Sequence, residues 1–154
     1  MIQTTTGVNA MASQDRPERV LADLLALLAI ADQAILLQER AEAVLQACGD
    51  PGEPSHFVAR EGSRVAGEYQ RLWGWSLDFA PSAGAGSLER RLSDLVLLHF
   101  QMLHVAVRLA FPRQGAPGAY RSVRAIEDLT PWVTELRSVR DELNLWITAL
   151  TPAQ

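Results

Sequence analysis

Apolar residues recur along four stretches of this chain in alternating steps of three and four. That spacing keeps one seam of an α-helix facing its neighbours. In the first stretch the seam reads Val20, Asp23, Leu27, Ile30, Ala34, Leu37, Ala41, Val44 and Cys48. It predicts a helix from about Asp15 to Cys48. Asp15 is placed to cap it, with Glu18 three residues on as the second half of a capping box. Pro17 would fall in the first turn, where its missing N–H costs nothing. Gly49, Asp50 and Pro51 would end the helix. Leu21, Leu24, Leu25, Leu28, Ile35 and Leu36 lie off the seam. The first helix is therefore apolar nearly all round, and must be central or covered by a second chain.

The second stretch predicts a helix from Ser55 to the segment Trp73–Leu77, with the seam Val58, Gly62, Val65, Tyr69 and Leu72. Gly62, Gly67 and Gly74 each cost about 1 kcal/mol relative to alanine, so this helix is intrinsically the weakest. Gly62 would admit the flank of the first helix. The third helix is expected after Ser87, a cap, and up to Phe111 before Pro112. Its seam is Leu88, Leu92, Leu95, His99, Met102, Ala106 and Leu109. Residues 112–128 form a long connection, expected to hold one short helix around Ala119 to Glu127. The fourth helix is expected from Thr130 to about Leu150, with the seam Trp132, Leu136, Val139, Leu143, Trp146 and Leu150. No stretch alternates with the period of two that a strand requires. The expected fold is all-α: an up-down-up-down four-helix bundle with an extra short helix between helices 3 and 4. It would occupy residues 15–152, after a disordered N-terminal tail over residues 1–14.

Composition narrows this picture without naming a function. The 154 residues suit one domain. The formal charge is −4, which disfavours wholesale nucleic-acid binding. All 14 basic residues are arginine. Cys48 is the only cysteine, so no intrachain disulfide forms, and its place on the seam suits a small buried hydrophobe. The first residues lack the basic start and apolar run of a signal peptide. The most apolar stretch, Val20 to Leu37, contains Asp23 and Asp32, which a bilayer rejects unless they are paired. A cytoplasmic protein without a transmembrane span is expected.

Asp23 and His99 are the polar residues that interrupt otherwise apolar seams. If the first and third helices start level, both point into one layer, and Tyr69 approaches the same end. A buried carboxylate needs a donor and a buried imidazole needs partners for both nitrogens, so a pair would satisfy both. Such a contact would either fix helix register or form a polar core site of Asp23, His99 and Tyr69 that takes a ligand. His99 and His104 diverge by about 140° on a helix, and the spacings of known metal motifs are missing. No metal and no cofactor is expected. From Leu95 to Ile126 the chain holds Arg108, Arg113, Arg121 and Arg124 with no acidic residue. These four are candidate anion-binding residues, or surface cations neutralised by acids elsewhere. Trp73 and Trp75 either plug the end of the bundle or anchor a partner.

With no catalytic motif, the expected function is a non-enzymatic interaction module: an adaptor, accessory or assembly subunit. Leu21, Leu25, Leu28, Leu36, Trp73 and Trp75 would bind a protein partner or a second copy of the chain. The alternative is a small-molecule-binding bundle or enzyme built around Asp23, His99 and Tyr69.

Overall fold

The computed structural model describes residues 8–50, 55–80, 84–111 and 130–151. They form five helical segments: α1 (Val8–Leu36), α2 (Gln38–Gly49), α3 (His56–Ser76), α4 (Leu88–Ala110) and α5 (Thr130–Leu150). No strand occurs among the described residues, so the fold is all-α as the periodicity requires. The α1 and α2 segments are one rod interrupted at Leu37, which leaves four rods among the described residues. The expected short helix around Ala119 to Glu127 lies outside the described residues.

Side-chain caps set two of the starts. The Ser55 hydroxyl accepts from the Val58 amide at 3.4 Å, and the Ser87 hydroxyl accepts from the Arg90 amide at 3.3 Å. Each satisfies an amide that the first turn leaves without an intrahelical partner. The start of α1 differs from expectation. It begins at Val8, so Asp15 is not its cap and Pro17 lies inside the helix.

The break at Leu37 coincides with a contact from another helix. The Tyr69 hydroxyl, from α3, donates to the carbonyl of Ala34 at 2.9 Å. That carbonyl is the one the Gln38 amide addresses in an uninterrupted α-helix. A side chain inserted into the helical ladder is a recognised source of a kink, and the regular helix lapses at Leu37, one residue before Gln38. Leu37 itself keeps helical dihedrals (φ −77°, ψ −13°), so the rod passes through the break without unravelling.

The rod changes neighbours at this break. α1 rests chiefly on α5, α3 chiefly on α4, and α2 against both α3 and α4. The core follows the expected seams over most of their length. Leu27, Ile30, Ala34, Leu37, Ala41, Val44 and Cys48 are buried, as are Val65, Tyr69, Leu92, His99, Leu136, Val139 and Leu143. Gly62 allows the closest approach. A methyl group there would collide with Val107 of α4 and touch Val44 of α2, so it receives α4 more tightly than the first rod.

Two arginines each bind a pair of glutamates seven residues apart on a neighbouring helix. Arg40 reaches Glu61 at 2.6 Å and Glu68 at 3.4 Å. Arg91 reaches Glu135 at 2.6 Å and Glu142 at 3.0 Å. All are partly exposed, so each pair adds at most about 1 kcal/mol. Their geometric role is clearer: they fix α2 against α3, and α4 against α5, in axial register.

Candidate functional site

The seams also run past the ends of their cover. Val20 and Asp23 begin the first seam, and both are exposed. Trp146 and Leu150 end the last, and they are 58 % and 40 % exposed. The expectation that Asp23 points into the core is therefore corrected. Its phase on the helix agrees with the seam, but no described helix buries that turn. Asp23 instead lines a surface groove of about 350 Å³. The groove's other charged residues are Arg19, Asp78 and Glu89, over a floor that includes Leu24 and Phe79.

His99 and Tyr69 do meet. Both are wholly buried, and their rings stack with centroids 5.2 Å apart and planes 23° from parallel. His99 Nδ1 lies 2.7 Å from the carbonyl of Leu95 one turn earlier. A carbonyl only accepts, so Nδ1 carries the proton and Nε2 presents a lone pair. Burial pushes the imidazole below its ordinary pKa, and the Leu95 contact opposes this more weakly. The ring is thus held neutral. Burial, and then the nearby Glu42, raises the Tyr69 phenol above its usual range, so it stays a hydrogen-bond donor.

Gln38 is the residue the sequence reading missed. It is buried, one turn beyond the Ala34 carbonyl that Tyr69 holds. Neither its Oε1 nor its Nε2 has a hydrogen-bond partner, and the same is true of His99 Nε2. A glutamine four residues after a seam alanine was a legible signal, but the seam passes through the adjacent Leu37 and masks it.

The partner-binding candidates divide. Leu25 and Leu36 are 48 % and 70 % exposed, whereas Leu21 and Leu28 are half-buried. Trp73 packs partly against the core, and Trp75 is exposed. Among the anion-binding candidates Arg108 is exposed, and Arg113, Arg121 and Arg124 lie outside the described residues. Cys48 is buried, and burial pushes its thiol up to about 11. At neutral pH it is a small apolar side chain rather than a nucleophile. Among the described residues, no group of three His, Cys, Asp or Glu could hold a metal ion.

By length and composition alone, the α1–α2 rod and α4 are each able to cross a bilayer. In the most apolar 18-residue window of the rod, only 28 % is buried within the chain. The opposite side of that rod carries a second run at three-four spacing, all of it exposed: Ala22, Leu25, Ala29, Asp32, Leu36, Glu39 and Ala43. Its small residues allow another backbone to come close, and its leucines offer apolar area. What the arrangement offers chemically is a contact surface outside and a neutral imidazole inside.

No protein-family model, no curated protein and no solved structure matches the chain.

Proposed function

We propose that this chain is a non-enzymatic helical interaction module, an adaptor, accessory or assembly subunit. It would dock a protein helix on the open face of the α1–α2 rod. The observation that carries the reading is the low burial, 28 %, of the chain's most apolar window. Soluble proteins rarely leave a contiguous apolar face uncovered unless something binds it. Asp32 and Glu39 sit within the exposed run. They favour a protein partner, which can supply donors and counter-charges, over lipid tails, which cannot. Self-association is the simplest form, because a two-fold pair brings the same face twice. On this reading the protein works in the cytoplasm.

We also read the rods as an up-down-up-down bundle, with a short helix around Ala119 to Glu127. Two contacts support opposite running of α3 against its neighbours. Tyr69 lies against Ala34 and His99, and seven residues earlier Gly62 lies against Val44 and Val107.

The test is mass in solution across a range of concentrations, for the natural chain and for Leu25→Arg combined with Leu36→Arg. Concentration-dependent association that the double substitution abolishes supports the reading. A chain that stays monomeric and instead floats with lipid vesicles overturns it.

A further inference from the structure

Three buried polar atoms in the core lack partners: Oε1 and Nε2 of Gln38, and Nε2 of His99. Their side chains come from α2 and α4, which pack against each other and against α3. The Tyr69 ring stacks on the His99 imidazole, and its hydroxyl holds the Ala34 carbonyl one turn before Gln38. Orphaned polar groups in a core are costly, and most buried polar atoms in folded proteins are satisfied. The hydrogen-bonding character of this set is defined. His99 Nε2 only accepts, because Nδ1 donates to Leu95. The Gln38 amide both accepts and donates.

We propose that Gln38, Tyr69 and His99 frame a buried site for one small neutral guest, which donates to His99 Nε2 and pairs with the Gln38 amide. The guest is neutral because Gln38, Ser76, Ser93 and His99 are the buried polar residues of the described chain. Glu42, the acid felt by Tyr69, is itself exposed, so an ion would enter without a buried counter-charge. A metal is disfavoured by the donor set, since one imidazole and one amide fall short of a coordination shell. The chemical class is an O–H or N–H donor beside an acceptor. Water is its smallest member, and a primary amide is the self-complement of Gln38. The site is separate from the open face of the α1–α2 rod and does not depend on the interaction reading.

The test uses the full chain with nitrogen-15 histidine and acetamide as the probe. The Nε2 resonance separates a bare acceptor from one that accepts a hydrogen bond. The expected result is a displaced Nε2 resonance. It appears in plain buffer, with cross-relaxation from a trapped water to the ring protons, or it develops saturably as acetamide is added. Gln38→Leu then returns the resonance towards the bare position and weakens any acetamide response by about tenfold or more. Gln38→Met repeats the comparison with a more adaptable side chain. A bare Nε2 under both conditions overturns the proposal. So does a response that neither Gln38 variant changes.

Discussion

At His99 the imidazole is neutral because the core refuses its proton. Well above pH 6.5 the folded and unfolded chains hold the ring in the same neutral state, and it contributes nothing to pH dependence. As the pH falls through the ordinary value of 6.5, the unfolded chain takes up a proton that the folded one does not. Stability therefore declines with acid, by up to about 1.4 kcal/mol per pH unit, until the folded ring also titrates. His99→Leu should remove this component of the slope in urea unfolding between about pH 7 and pH 5. Glu61, held low chiefly by its hydrogen bond from Arg40, loses its contribution only as the pH falls below 4.5, so the two windows are separable. Tyr69→Phe tests the neighbouring contact. It removes the hydroxyl from the Ala34 carbonyl and should cost about 1 kcal/mol in the same measurement. Much of this layer was legible, since His99 and Tyr69 stood on their seams. Asp23 stood on its seam too, and periodicity gave its face correctly. Whether another helix covers that turn depends on where the rods end, which local spacing does not encode.

Among the helices, the sharpest contrast lies within α3. Gly62 fits between Val107 and Val44, while a methyl at Gly67 would meet nothing within 4 Å. Gly62→Ala should destabilise the protein by about 1–3 kcal/mol through overpacking, despite better helix propensity. Gly67→Ala should stabilise it by up to about 1 kcal/mol. Thermal unfolding of the two variants side by side decides this, and equal shifts would contradict the packing. The start at Ser55, the Ser87 cap and the end of α4 could be read from the sequence, because caps and Pro112 act over a few residues. The break at Leu37 could not. No glycine or proline marks it, and the contact that coincides with it is a tyrosine hydroxyl on another helix. The early start of α1 was hidden for the converse reason: Pro17 looks like a first-turn proline, yet it sits inside the helix.

For the whole molecule, the proposed docking on the open face implies a stability that depends on company. A chain that self-associates is stabilised by mass action, so its melting temperature rises with protein concentration. Leu25→Arg with Leu36→Arg should leave the isolated fold nearly unchanged, within about 0.5 kcal/mol per exposed site, and make the melting temperature independent of concentration. A natural chain whose melting point ignores concentration would point to a different partner rather than a second copy.

The pairing of α1 with α5 joins the earliest-made helix of the described chain to the last. While a ribosome is still threading out everything between them, the greasiest stretch of the polypeptide lacks its chief mate. The local hairpin of α3 and α4 can close early, whereas the α1–α5 contact must wait until α5 has been made. The nascent chain should therefore be a client for holding chaperones, with its demand centred on α1.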